Sequence, residues 1–152
     1  MPIRKATVED VKDIQKLVNY YAKREKMLPR SLNELYESIR NFFVYVEGKK
    51  IYGCCALNID WEDLAEIKSL AVAEGSRSLG NGVKLVKACL KEAEELGTPT
   101  VFCLTYKPAF FEGVGFSQVD KMELPQKVWG ECYRCPKFPD CDEVALIYHL
   151  EA

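Results

Sequence analysis

The stretch SRSLGNGVKLV, residues 76–86, joins an arginine and two closely spaced glycines to the beginning of an amphipathic helix. Glycine costs about 1 kcal/mol relative to alanine inside a helix, so Gly80 and Gly82 need a physical reason. Glycine allows close approach of the backbone to a ligand, and the N–H groups at a helix N-terminus attract anions. The stretch therefore predicts either an anion-binding turn that includes Arg77 or an ordinary strand-to-helix connection.

The composition is typical of a globular protein with one domain over residues 1–152. Hydrophobic residues make up 48% and charged residues 29%, and the net charge of −2 gives no reason to expect nucleic-acid binding. The N-terminus is charged from its fourth residue, and no apolar run reaches bilayer length. We therefore expect a cytoplasmic protein without membrane attachment. The seven cysteines, an odd number, argue against a disulfide framework.

The N-terminal half alternates from helix to strand. Thr7 with Asp10 and Ser31 with Glu34 have the spacing of capping boxes. They predict a helix over residues 8–24 and a second helix beginning after Ser31. Residues 42–47, 51–58 and 64–72 are rich in β-branched and aromatic residues, which favours three strands, the first two forming a hairpin.

The C-terminal half continues with a helix over residues 84–96, for which Gly97 is the stop signal. Residues 101–104 are wholly apolar, which is typical of a strand at the centre of a sheet. A brief helix from Pro108 and a closing strand over residues 144–149 complete an α+β (mixed α/β) domain.

Two phosphate-binding motifs are a poor match for the glycine-bearing turn. A dinucleotide fingerprint requires G-x-G-x-x-G after the first strand, whereas this turn has only G-N-G and follows a third predicted strand. A P-loop requires G-x-x-x-x-G-K-[ST], which the sequence lacks. The turn is therefore described by the pattern R-x-x-G-x-G between a strand and a helix, and the N-terminus of that helix could bind a pyrophosphate.

EIKSLAV (66–72) followed by RSLGNGVKLVKACLKEA (77–93) resembles the acetyl-coenzyme A loop of the GNAT N-acetyltransferases, whose pattern is [QR]-x-x-G-x-[GA]. AFFEGVGF (109–116) is similar to a later stretch of that superfamily. More narrowly, the chain looks like short, free-standing N-acetylglutamate synthases in four places: LAEIKSLAV (64–72), VFCLTYKPAFF (101–111), the Leu-Pro pair at 124–125 and the cysteine-rich stretch. The resemblance implies the GNAT fold, with a central mixed twisted sheet flanked by helices, and acetyl-CoA as the co-substrate.

The resemblance also implies which residues hold the coenzyme. The backbone at the end of the third predicted strand would bind the thioester carbonyl, at Leu70, Ala71 and Val72. The turn and the helix start would bind the pyrophosphate, at Arg77, Ser78, Leu79, Gly80, Asn81 and Gly82.

Glu66 is the one carboxylate within the apolar run LAEIKSLAV. Its environment favours either a general base or a solvent-facing partner of Lys68. The matching glutamate of N-acetylglutamate synthases is the proposed base. The tyrosine that donates a proton to the thiolate in many GNAT enzymes is replaced by Phe111, so Thr105, which matches a serine of the glutamate-acetylating branch, and Tyr106 are the candidate acids.

A carboxylate on the substrate requires cationic partners. Arg30 matches a family arginine that binds the amino acid, and Leu28 would line the same pocket. Lys127 and Arg134 fall where the family has further basic side chains. The alternative for all three is solubilising surface charge.

The spacing C-x-x-C-x5-C places Cys132, Cys135 and Cys141 within one stretch. Zinc prefers four ligands, so this motif is one ligand short, and His149 in the closing strand is more simply explained by packing. We expect a loop over the substrate pocket rather than a metal site. A redox pair of Cys132 and Cys135 is a further alternative.

The resemblance implies transfer of acetyl from acetyl-CoA to the amine of an amino acid, and its narrower form favours the α-amine of L-glutamate, the first step of arginine synthesis. Another small amine or a protein N-terminus is an alternative acceptor. A non-catalytic acyl-CoA-binding module is an alternative of a different class, because Phe111 replaces the usual acid. Assembly as a homodimer is what the fold class indicates.

Overall fold

A computed structural model describes residues 2–22, 30–74, 80–120, 124 and 143–150. Within these residues, one sheet holds seven strands in the order β1-β2-β3-β4-β5-β7-β6. Neighbouring strands are antiparallel except β4 and β5, which are parallel. The strands are β1 (Ile3–Lys5), β2 (Phe42–Glu47), β3 (Lys50–Trp61), β4 (Leu64–Val72), β5 (Thr100–Thr105), β6 (Ser117–Val119) and β7 (Val144–His149).

The helices are α1 (Val11–Ala22), α2 (Leu32–Ser38), α3 (Asn81–Leu96) and α4 (Pro108–Val114), and short 3-10 turns precede α1 and follow α2. No helix in the described part of the chain is long and apolar enough to cross a membrane. The mixed sheet flanked by helices confirms the predicted α+β architecture. That residues 1–152 form a single domain stays a prediction.

Both capping boxes are present. The Glu34 N–H donates to Ser31 Oγ at 3.1 Å, and the Ser31 N–H donates to Glu34 Oε1 at 3.2 Å. At the first helix, the Thr7 N–H donates to Asp10 Oδ2 at 2.7 Å. Arg4 binds the same carboxylate, and these hydrogen bonds hold the pKa of Asp10 below its ordinary value. The two capping pairs therefore mark where helical structure begins, although residues 8–10 form a 3-10 turn and α1 itself starts at Val11.

The structure differs from the sequence prediction at short or irregular elements. β1 and β6 were not predicted, because three residues carry too little periodicity to signal a strand without its neighbour. α3 begins at Asn81 rather than residue 84, since Gly80 already supplies the turn before the helix. His149 lies in the predicted closing strand but is exposed, so it does not have the packing role that we expected.

The core lies on both faces of the sheet. On one face α3 and α4 cover a cluster that includes Ala65, Ile67 and Val101, and on the other face α1 and α2 cover Val44, Cys54 and Ala56. A third, smaller cluster contains Leu64 and Phe102. Because side chains alternate along a strand, Glu66 and Lys68 of β4 lie on the face opposite Ala65 and Ile67.

Candidate functional site

β4 and β5 separate partway along their length, which opens the sheet. They pair only at Leu64–Thr100, Ala65–Val101 and Glu66–Phe102. Beyond Glu66, the edge of β4 that faces β5 has no strand partner among the described residues, while its other edge stays paired with β3 as far as Val72. The opening therefore presents the backbone of a single strand to a ligand, as the predicted thioester site requires.

A β-bulge distorts β4 in this opening. Cys54 pairs with Ala71 and Ala56 pairs with Lys68, so two residues of β4, at 69 and 70, face one residue of β3. Ser69 adopts φ 55°, the left-handed region, and among the described residues it is the one non-glycine with positive φ. The bulge resets the alternation of β4, so that Lys68 and Ser69 line the same cavity although they are consecutive.

The three predicted thioester-binding residues follow the bulge directly. Ala71 and Val72 are buried in the core, and Leu70 packs against it. The Tyr21 hydroxyl donates to the Val72 carbonyl and connects α1 to this strand. Since the side chains belong to the core, what these residues can offer a ligand is their backbone; that they bind the thioester stays a prediction.

The two glycines that raised the first question serve different purposes. Gly80, at the N-cap of α3, has φ 74°, and a Cβ there would meet no atom within 4 Å. Gly82 lies against Phe110, whose ring atoms would be 3.2 Å from a Cβ. Gly80 is therefore required by backbone conformation and Gly82 by the close approach of α4.

The first turn of α3 carries backbone donors that the helix itself does not use. The N–H groups of the first residues of a helix have no carbonyl partner within the helix and carry its positive dipole end. Asn81 is fully buried, and its side chain hydrogen-bonds the phenol of Tyr45 on β2. Asn81 therefore connects the helix start to the sheet through its side chain, and the binding of an anion by its backbone stays a prediction.

A cavity of about 380 Å³ lies on the α1/α2 face of the sheet, between α2 and strands β2, β3 and β4. Its floor is apolar and its walls carry amides, hydroxyls and charges of both signs. The lining residues are Arg30, Glu34, Leu35, Glu37, Ser38, Asn41, Phe42, Ala56, Asn58, Lys68 and Ser69. This volume suits a small-molecule ligand.

Glu66 borders this cavity without lining it. Asn58, which lines the cavity, pairs directly with Glu66 in the register of β3 and β4. Lys68 Nζ lies 3.9 Å from Glu66 Oε1, and the two side chains are only 16% and 12% exposed. The ion pair with Lys68 is present, but it lies on a largely covered face rather than in open solvent.

Arg30 lines the cavity from the segment that leads into α2. Its backbone is fixed by α1, because its N–H donates to Asn19 Oδ1 at 3.1 Å and its carbonyl accepts from Asn19 Nδ2 at 3.3 Å and Gln15 Nε2 at 3.2 Å. Its side chain is 14% exposed, and Nη1 lies 3.6 Å from Glu34 Oε2. This attachment holds the guanidinium at the cavity.

The candidate acids lie at the end of β5. The Lys107 N–H donates to Thr105 Oγ1 at 2.9 Å, which directs the Thr105 O–H proton elsewhere. Alternation along β5 puts Thr105 on the face of Val101 and Cys103, opposite the face of Glu66. Tyr106 follows the strand and is half-buried. Phe111 packs edge-on against Phe110 and Phe116 in the core, which explains an apolar residue at that position.

Several predicted residues lie outside the described part of the chain. They are Leu28, Arg77, Ser78, Leu79, Lys127, Arg134, Cys132, Cys135 and Cys141. Among the described residues no group of three metal-ligating side chains occurs. The three clustered cysteines lie outside that search.

The sequence reasoning did not identify Lys68, Ser69 and Asn58 as cavity residues. The spacing of Glu66 and Lys68 does indicate a shared strand face, so the sequence could have predicted that Lys68 lies on the same side of the sheet as Glu66. The position of Ser69 depends on the bulge and that of Asn58 on strand register, and neither has a local sequence signal.

Comparison with known proteins identifies the family of the chain. Residues 8–116 match the acetyltransferase (GNAT) family. An uncharacterised N-acetyltransferase of Chlorobaculum tepidum is 39% identical, covering 97% of this chain and 96% of the relative. An amino-acid acetyltransferase of Mycobacterium tuberculosis is 33% identical over 87% of this chain and 77% of its own length.

Solved structures have the same fold. A Mycobacterium tuberculosis protein in complex with CoA superposes with a TM-score of 0.84 at 29% identity, covering 98% of this chain and 99% of its own. N-acetylglutamate synthase from Neisseria gonorrhoeae, complexed with coenzyme A and N-acetyl-glutamate, gives 0.90 at 25% identity; it covers 99% of this chain, which spans 35% of that synthase. The chain therefore belongs to the GNAT family and is an acetyl-CoA-dependent N-acetyltransferase.

Proposed function

We propose that this enzyme acetylates the α-amine of L-glutamate, with Glu66 as the general base. The observation that carries the proposal is the cavity beside Glu66, which Arg30 and Lys68 line with two largely covered cations. A guanidinium binds a carboxylate through two parallel hydrogen bonds, which suits an amino-acid substrate. The relatives named amino-acid acetyltransferase and the synthase structure with N-acetyl-glutamate support the same substrate.

The acceptor amine must lose a proton before it can attack, because it is an ammonium ion at neutral pH. Glu66 accepts this proton from the side of the cavity, and the nitrogen lone pair then attacks the thioester carbonyl. The backbone of Leu70–Val72 stabilises the developing oxyanion at the opening between β4 and β5. The C–N bond forms as the C–S bond breaks, CoA leaves as the thiolate, and the nitrogen releases its second proton to solvent water.

The departing thiolate takes a proton from a donor on the other side of the opening. Thr105 fits this role, since its oxygen already accepts the Lys107 N–H and its own proton points elsewhere. Tyr106 is the competing donor. The coenzyme's pyrophosphate would lie on the backbone of residues 77–82, at the N-terminus of α3.

The proposal is tested by measuring thiol release from acetyl-CoA with L-glutamate and with a panel of other amino acids and polyamines. We expect turnover with glutamate and a loss of kcat of about 10²- to 10⁴-fold in Glu66→Gln. Binding of acetyl-CoA, measured by calorimetry, should be unchanged. Glu95→Gln, an exposed position on α3, is the matched control and should retain wild-type kcat.

Turnover with a different amine but not with glutamate would contradict the substrate assignment while leaving the reaction class intact. An unchanged kcat in Glu66→Gln would contradict the role of that residue. Thr105→Val and Tyr106→Phe distinguish the two candidate acids, because the variant that removes the donor should show the larger loss of kcat.

A further inference from the structure

Lys68 lies on β4, where that strand forms part of the cavity wall. Its side chain is 16% exposed, it lines the cavity, and it lies 3.9 Å from Glu66. An ion pair alone would account for its closeness to Glu66. It does not account for a lysine that also forms part of the cavity wall.

The bulge determines this placement. In a regular strand the residue after Lys68 would face the α3 side of the sheet, but the left-handed Ser69 turns toward the cavity as well. A left-handed conformation in a residue other than glycine is unfavourable, and such strain concentrates at functional sites. β4 therefore presents a cation and a hydroxyl together on the cavity wall.

Arg30 and Lys68 reach the cavity from different elements. Arg30 enters from the segment before α2, whereas Lys68 rises from β4 in the sheet. The cavity's two acids, Glu34 and Glu37, are exposed, and the side chain of Glu34 is 55% accessible. Water screens exposed charges far more than covered ones, so these two acids offset the cations only weakly, whereas the covered Glu66 offsets Lys68 in part.

Two separate cations match a substrate with two separate carboxylates. We propose that Lys68 binds the side-chain carboxylate of the acceptor while Arg30 binds its α-carboxylate, so that Lys68 selects dicarboxylic over neutral amino acids. A lysine has three N–H donors, so Lys68 can hold Glu66 and a substrate carboxylate together. This inference rests on the proposed function, since it specifies the acceptor of the same site.

The test compares L-glutamate with L-glutamine, which has the same shape and a neutral side chain. In Lys68→Met we expect the Kd and KM for glutamate to rise about 10- to 100-fold, the loss typical of a charge-assisted hydrogen bond. The values for glutamine should change by about twofold or less. Lys68→Arg should restore most of the preference, and Lys91→Met, an exposed lysine on α3, is the matched control.

Binding is measured by calorimetry in the presence of CoA, so that the result does not depend on the chemical step. Parallel losses for both amino acids, or a fall in kcat with unchanged KM, would show that Lys68 only positions Glu66 and would overturn the inference. Equal affinities in wild type and Lys68→Met would also overturn it. A wild-type chain that binds neither amino acid would instead reject the glutamate assignment itself, and Lys68 would lose its proposed ligand with it.

Discussion

Arg30 shows how one side chain depends on another element for its position. The side-chain amide of Asn19 on α1 forms two hydrogen bonds with the Arg30 backbone. It accepts from the Arg30 N–H and donates to the Arg30 carbonyl. Gln15 adds a single bond to the same carbonyl. Neither Asn19 nor Gln15 lines the cavity, so we assign them as positioning residues that act through Arg30.

This arrangement predicts a graded effect on substrate binding. Asn19→Ala removes two hydrogen bonds, each worth about 1 kcal/mol, and should raise the KM for the acceptor about tenfold or more. Gln15→Ala removes one bond and should have a smaller effect. The KM for acetyl-CoA should stay constant in both variants, because neither residue approaches the start of α3.

Steady-state kinetics with each substrate varied in turn provide the measurement. Lys16→Ala, an exposed change on the same helix, should behave as wild type. An equal rise in both KM values would mean that the variants disturb the fold generally rather than the position of Arg30.

At the scale of elements, α3 begins directly after a glycine in a conformation that other residues avoid. Gly80 has φ 74° and open space where a Cβ would project, so substitution there tests backbone conformation without steric contact. Gly82 provides the opposite test, since its conformation is ordinary and Phe110 limits its size.

We expect Gly80→Ala to lower the free energy of unfolding by about 1 kcal/mol and to raise the KM for acetyl-CoA, because the helix start moves. Gly80→Asn should recover part of the loss, since asparagine tolerates the left-handed region. Chemical denaturation measures the first effect and initial rates the second. A Gly80→Ala variant as stable as wild type would contradict the role assigned to this glycine.

At the scale of the whole molecule, helices cover both faces of the sheet. The burial of four cysteines shows how completely they exclude solvent. Cys54, Cys55, Cys89 and Cys103 are at most 1% exposed, and Cys55 Sγ lies 3.6 Å from Cys89 Sγ between β3 and α3. Burial raises the pKa of the Cys54 thiol to about 12 and raises that of Cys103 as well.

A raised thiol pKa leaves roughly 10⁻⁴ of Cys54 as the reactive thiolate at pH 8. In a variant with Cys132, Cys135 and Cys141 replaced by serine, we expect native protein to react very slowly with a thiol reagent. Four thiols should become reactive in denaturant. Fast reaction of Cys55 or Cys89 in native buffer would show that α3 opens from the sheet.

Local sequence signals predicted most of the elements in the described residues. The capping pairs, the alternation of β-branched residues and Gly97 each act over a few neighbouring positions, so they mark helices and strands without tertiary information. The GNAT resemblance rests on the same kind of short motif and is confirmed by the family match. Edge strands of three residues were missed because their pairing partners lie far away in sequence.

The sequence by itself determined the fold class, the coenzyme-binding turn as a hypothesis, and Glu66 and Arg30 as candidates. Only the tertiary structure decided which charges meet in one cavity, because that depends on strand register and on the bulge at Ser69. A bulge shifts every later side chain of a strand relative to its neighbour, and it is stabilised by packing rather than by a local motif. Lys68 therefore appears in the sequence as the partner of Glu66, and in the folded protein as part of the cavity wall.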